Sequence, residues 1–473
     1  MQKIPIGQIP LIVDIETGDT VWRPVYWTGV RKDFFSPGEN FYEKYSPEEI
    51  EHRYGVKFPC TRQELPNDDL WKITYNKGVR LIHQEFLPGY FEVRDYREWI
   101  QKQQKFIFPI RIEFDTALLY FEEIKLPEDL IKAIQEKLAV IVIESPWETR
   151  NLGDWLYNPL FRFKSQYSIP DEQIFLCGSQ AGDRVKISCS VPFRETKYFQ
   201  EFCWSVQRKP ITNPDVQKKL QEWFTEFLSE TGTDKFTKTF LAEIGRSTYE
   251  RLFLFGDLHE EFLEKSYFSF RNHYDADIQT VKRDLIALRS HMSLHNTGWY
   301  DNVANFLSTY DFTKRYELDL DQTEYPDWFS LESDKQFRKQ SFVEIVPETN
   351  FFNNQNAFIT EKTYKPILSA KPFIVFACSG YLRELHKDGF QTFSKYWDES
   401  YDDEVDPYLR MIKLRNTMKI VSEFSEQTMQ EIYRDMQPTL IHNFQKVIST
   451  ESVHKTLEWY RKLTGTITKQ SLI

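Results

Sequence analysis

Three consecutive residues, Thr360, Glu361 and Lys362, carry the densest chemical information in the chain. They follow the stretch Ser341-Phe-Val-Glu-Ile-Val-Pro-Glu-Thr-Asn350 across a loop rich in Asn, and they precede Lys371-Pro-Phe-Ile-Val-Phe376. The order reads as strand, loop, short helix, strand. Thr360 suits a helix N-cap, where its hydroxyl accepts from a backbone N–H of the first turn. Glu361 falls where negative charge suits the helix dipole, and the free N–H groups at such an end can bind an anion such as a pyrophosphate. Lys362 and Lys365 add positive charge beside it, while Glu361 can accept hydrogen bonds from sugar or ribose hydroxyls. Pro366 removes a donor and clashes with the preceding turn, which predicts a short or kinked helix. Threonine before Glu-Lys is also an ordinary way to begin a helix, so these residues alone do not separate binding from capping.

The wider arrangement adds to this. A strand ending in Glu348-Thr-Asn350, then Phe358-Ile-Thr-Glu-Lys362, then Lys371-Pro-Phe-Ile-Val375 resembles the donor-site signature of the alpha-1,3-fucosyltransferases and related glycosyltransferases of the GT-B fold. It is also similar to uncharacterised fucosyltransferase-like proteins of viruses and bacteria, through Gly389-Phe390 and Trp397-Asp-Glu-Ser-Tyr401. The likeness covers about residues 236 to 410, and its central block is the specific part. It implies an α/β fold of two Rossmann-like domains facing a cleft, with a GDP- or UDP-linked sugar held by the C-terminal half. Carried over by position, Glu361 would contact the sugar or ribose and Lys362 the diphosphate, with Glu348 and Asn350 lining the same pocket. An Arg after the first strand of the second domain would neutralise the diphosphate, a task for which guanidinium is well shaped. Arg246, in Gly245-Arg-Ser-Thr248, is the first choice and Arg251 the reserve. Phe358 stands where the family carries Tyr, and the loop before it is longer, which leaves the donor's identity open.

Sugar transfer from a nucleotide needs a stabilised leaving diphosphate and a deprotonated acceptor hydroxyl. Arg246, Lys362 and the helix start would serve the first need without a divalent metal or other cofactor, and the resemblance implies inversion by a single displacement. The second need calls for a carboxylate from the N-terminal domain. Glu144, Glu148 and Asp154 follow the apolar run 138–143, and ligands of open α/β sheets sit beyond the carboxyl ends of strands. The motif Asp319-Leu320-Asp321 has the form of a metal-holding pair. Its alternation with Tyr316 and Leu318 is that of a half-exposed strand whose acids face water. His291 and His295 share helical spacing, but no Glu stands beside the first, so they read as capping or surface residues.

Positioning these groups falls to alternating strands and helices, the pattern of parallel sheets. Strands are predicted at 79–86, 106–114, 138–143 and 174–177, and in a second series at 236–241, 341–346 and 372–376. Helices are predicted near 216–228 and 249–262, and a longer one from 429 with a kink at Pro438. The stretch 205–235, rich in Lys, Glu, Thr and Pro, looks like an interdomain connection. The expected domains are an acceptor-side α/β domain over 1–228, a donor-binding domain over 229–425, and C-terminal helices over 426–473 that pack back across the junction.

A chain of 473 residues exceeds one ordinary core, and 39 Phe, 25 Tyr and 12 Trp against 17 Gly mark a folded protein. The net charge of -11 disfavours a polyanion partner, so nucleic acid is the less expected target. Two alternatives stay open: a viral glycosyltransferase acting on a DNA base, and a non-catalytic protein that binds a nucleotide sugar. The expected partners are therefore a nucleotide sugar and a glycan or other hydroxyl acceptor. Five cysteines without CxxC spacing indicate neither a disulfide framework nor a zinc site. The N-terminus lacks the pattern of a signal peptide, and no run of about 18 apolar residues occurs, so a cytoplasmic protein is expected. Neither a GxGxxG after a strand nor a GxxxxGK[ST] is present, which argues against a dehydrogenase or a P-loop enzyme.

Overall fold

Short apolar runs and the helices between them resolve into two parallel sheets, each belonging to its own unit of chain. The computed structural model describes residues 2–8, 87–111, 126–145, 154–178, 212–231, 235–244, 249–270, 301, 305, 309, 334–348, 351, 352, 357 and 359–466. In chain order the elements are β1 (Ile4–Gln8), β2 (Phe91–Asp95), α1 (Tyr96–Gln101), β3 (Phe106–Arg111), α2 (Glu128–Gln135), β4 (Ala139–Ser145), α3 (Asp154–Gln166) and β5 (Ile174–Gly178). There follow α4 (Pro214–Glu230), β6 (Lys238–Ile244), α5 (Tyr249–Glu261), β7 (Ser266–Phe270), α6 (Lys335–Gln340), β8 (Ser341–Pro347), α7 (Glu361–Leu368) and β9 (Phe373–Phe376). The chain closes with α8 (Tyr381–Lys387), α9 (Pro407–Ser422), α10 (Glu426–Ile448) and α11 (Glu451–Thr464). Residues 1–197 and 451–473 form one compact unit and residues 198–450 the other.

In unit 1 the strands run parallel in the order β2-β1-β3-β4-β5. Strand β4 is apolar at five successive residues, all buried, as a strand covered on both faces requires. Alternate residues divide between the faces. Phe106, Phe108, Ile141 and Ile143 join Tyr96, Leu130 and Phe163 of α1, α2 and α3 in one cluster. Helix α11 packs on β1 and β3, with Tyr460 edge-on to Phe91 at 5.9 Å. Strand β1, an interior strand of the sheet, carries Pro5 and Gly7, residues uncommon inside strands, and it was not among the expected strands. Gly7 is there because of space: a Cβ would meet the Phe106 ring at 2.5 Å and the Tyr96 Cβ at 2.9 Å.

In unit 2 the parallel order is β7-β6-β8-β9. Helix α4 begins where Asn213 caps Asp215 N and Pro214 occupies the first turn. It packs on α10, with the Phe224 and Phe444 rings stacked at 3.9 Å. Helix α10 runs as one helix with Pro438 inside it. The units therefore part differently from the expected 1–228, 229–425 and 426–473, because the apolar face of α4 is buried in unit 2 and that of α11 in unit 1. The expected strand at 79–86 lies outside the described residues; β2 and β7, five residues each, were not singled out. Among the described residues no helix is long and apolar enough to cross a membrane.

Gly7→Ala should lower unfolding free energy by about 1–3 kcal/mol through overpacking, read as a fall in the urea midpoint. An unchanged midpoint would mean that Phe106 yields freely and that no close approach fixes this glycine.

Candidate functional site

Strand order in unit 2 reverses between β6 and β8: the chain leaves β6 toward β7 on one side and returns to β8 and β9 on the other. Ligands of open α/β sheets bind beyond the carboxyl ends of strands at such a reversal. Residue Glu348, directly after β8, and the start of α7 occupy that end.

Glu348 is 1% exposed, and its carboxyl group is fully engaged. Oε1 accepts from Thr360 N at 3.2 Å, from the Thr363 hydroxyl at 2.7 Å and from the Tyr381 hydroxyl at 2.8 Å. Oε2 accepts from the Thr360 hydroxyl at 2.7 Å. The Thr363 and Tyr381 hydroxyls are themselves 2.7 Å apart. Burial, and next the Glu348 carboxyl beside it, push the Tyr381 phenol well above its ordinary range. Glu348 was expected to line a pocket; it faces the interior and ties the first turn of α7 to the end of β8.

Thr360 caps the helix as expected, accepting from Lys362 N at 3.3 Å. The Lys362 ammonium folds back on the same hydroxyl at 3.2 Å and on Glu361 Oε1 at 3.0 Å, with a quarter of its side chain exposed. Burial works against ionisation of Glu361, but the Lys362 charge and hydrogen bond overcome it and hold the carboxyl below its usual range. Helix α7 is short, eight residues with Pro366 inside. A cation, a carboxylate and a helix start thus meet at one place, suited to an anion bearing hydroxyl groups.

Lys365, expected from its place near the helix start to add positive charge beside a pyrophosphate, points elsewhere. Its ammonium pairs with Glu243 of β6 at 2.8 Å, and Glu243 also accepts from Arg338 at 2.8 Å. Arg251 likewise departs from expectation: it lies on α5, a helix buried nearly all round over 251–258, and is 2% exposed. A guanidinium so enclosed is not presented to an incoming phosphate. Arg246, Asn350, Glu148, Asp319, Asp321, His291 and His295 lie outside the described residues. Glu144 sits near the end of β4 and Asp154 opens α3. Among the described residues no group of three or more His, Cys, Asp or Glu is arranged to hold a metal ion.

Thr363, Tyr381, Glu243 and Arg338 were not anticipated. The legible sign was Glu344, a lone charge inside the otherwise apolar run of β8, which requires a buried partner. No family model matches this chain, and no curated protein matches its sequence.

Glu348→Ala leaves four donors, the Thr360 amide and the Thr360, Thr363 and Tyr381 hydroxyls, without their acceptor and should cost about 3 kcal/mol or more; Tyr381→Phe should cost about 1–2 kcal/mol. Urea unfolding of both variants measures this, and an unchanged midpoint for Glu348→Ala would dispose of the tether.

Proposed function

We propose that this chain is a metal-independent glycosyltransferase of the GT-B arrangement, related to the alpha-1,3-fucosyltransferases, that moves a sugar from a GDP- or UDP-linked donor to an acceptor hydroxyl. The supporting observation is the buried Glu348 tether, which fixes Thr360, Glu361 and Lys362 at the carboxyl end of β8, beside the reversal of strand order. The two parallel sheets agree with Rossmann-like domains.

In this reading the donor diphosphate takes Lys362 from Glu361, exchanging one anionic partner for another at little electrostatic cost. Glu361, released from the lysine, then accepts from sugar or ribose hydroxyls. Arg246 supplies a second cation, and negative charge developing on the leaving diphosphate is stabilised by these groups and by the helix dipole. Lys365 contributes indirectly, by anchoring the helix that carries them. A carboxylate of unit 1, Glu144, Glu148 or Asp154, deprotonates the acceptor, and an inverting single displacement follows.

Thermal unfolding in the presence of GDP, UDP and their sugar conjugates, with and without manganese, tests the reading. A ligand at about 100 times its Kd should add about 2.7 kcal/mol, irrespective of manganese. Lys362→Ala should abolish that shift while its own midpoint changes little, since partly exposed ion pairs contribute at most about 1 kcal/mol. If no nucleotide moves the midpoint, the transferase reading fails; if Lys362→Ala still responds, the phosphate lies elsewhere.

A further inference from the structure

Behind α7 lies a cluster of ionised side chains that the proposed chemistry does not use. Arg338 of α6 is 0% exposed and fans its guanidinium over three carboxyl groups. Nε donates to Asp334 at 2.5 Å, one terminal nitrogen to Glu344 of β8, and the other to Glu243 of β6 at 2.8 Å. Glu243 and Glu344 point to the same face of the sheet, because Leu241 is the register partner of Glu344 and Glu243 lies two residues further along. From α7, Lys365 adds its ammonium to Glu243 at 2.8 Å.

Three acids therefore face two permanent cations in the interior. The remaining basic group, Lys371, is buried before β9 and donates to the Ser341 carbonyl; burial drives its ammonium well below the usual range, toward the neutral amine. A buried cluster left with net negative charge is costly, and carboxyl groups so placed relieve it by holding a proton. The geometry indicates where. Asp334 is 1% exposed and its Oδ1 has no hydrogen-bond donor, while the Asp334 and Glu243 carboxyl groups stand within hydrogen-bonding reach of each other. Two carboxylates cannot share a hydrogen bond unless one is protonated.

We propose that this cluster keeps one proton at neutral pH, carried by Asp334 and donated to Glu243, and that its loss, which sets two buried carboxylates against each other, lowers the stability of the folded chain. The inference stands whether or not α7 holds a nucleotide. The direction of each acid's titration agrees. Burial first, opposed by Arg338 and reinforced by Glu243, lifts Asp334 well above its usual range. Burial likewise lifts Glu344 to about 7 against the pull of Arg338. Glu243 resists burial through Lys365 and Arg338 and is held well below its usual range, fit to accept. Groups raised in the folded state contribute stability that is present at acid pH and lost as pH rises through the folded pKa. Glu344 loses its share up to about pH 7, and Asp334 continues the loss above it. Lys371, neutral when folded, acts in the opposite sense, but equally in proteins that differ only at residue 334.

The test is the thermal midpoint of the full chain from pH 6 to pH 9 for the natural protein and for Asp334→Asn, in which an amide supplies a neutral donor. The expected result is two midpoints within about 2 °C at pH 6 and a natural protein that falls by several degrees more than the variant toward pH 9. Parallel profiles, with Asp334→Asn lower by a constant amount, would overturn the proposal and make Asp334 an ordinary ionised partner of Arg338. Should the variant not fold, carbon-13 NMR of the natural protein labelled at Asp carboxyl carbons decides: a protonated Asp resonance persisting at pH 8 supports the buried proton, and its absence at pH 7 ends the idea.

Discussion

The carboxyl group of Glu348 draws the start of α7 onto the end of β8, and the local structure at the head of the second sheet depends on that contact. An eight-residue helix with an internal proline is too short to persist alone, since isolated helices below about 12–15 residues are marginal in water. Capping by Thr360 helps, but a cap fixes only the first turn relative to itself. Glu348 fixes that turn relative to the sheet, taking up the amide and hydroxyl of Thr360, then Thr363 one turn further in, then Tyr381 from the next helix. Strand, loop, helix and the following helix are thereby joined through one group.

The other side of α7 is held by different means, and the contrast assigns separate duties to its two lysines. Lys365 turns inward to Glu243, in company with Arg338, and its position is set by charges that belong to β6, α6 and β8. Lys362, three residues earlier, turns to the surface and rests on its own neighbours Glu361 and Thr360. One lysine is therefore part of the scaffold and the other is held in a pairing that can be exchanged. The same distinction separates Glu348, enclosed and committed, from Glu361, whose carboxylate has a partner that solvent reaches.

Much of this architecture could be read from residue patterns, and the exceptions have identifiable causes. Strand β4 announces itself by a continuous apolar run, β8 by one interrupted at Glu344, and the cap at Thr360 by residue type. Strand β1 does not, because Pro5 and Gly7 look like breakers when the reason for Gly7, the approach of Phe106 and Tyr96, is tertiary. At the start of α7, residue types alone gave the cap and the short helix but not the direction of the side chains around them. A carboxylate just beyond a strand reads as facing a ligand, and only coordinates reveal that Glu348 faces the helix instead. Arg251 illustrates a related point: spacing from a strand end suggests nearness to a site, and helix α5 places that position in the core.

The buried ionic cluster raises the question of why such groups are there at all, since well-packed apolar residues of similar volume often stabilise an interior as much or more. Apolar packing would hold α6 and α7 against the sheet, but it is not directional, and a slide of either helix would cost little. A planar guanidinium engaging carboxyl groups from two strands and from its own helix tolerates much less displacement, because each contact requires a particular angle as well as a distance. Lys365 extends that constraint to α7, so that the helix is located from behind by charge and from the front by Glu348. Under the proposed function, in which the helix start presents backbone amides and one lysine to a small anion, errors of about an ångström matter, and directional contacts on both sides limit them. The cost of burying the charges is then the cost of precision at that start.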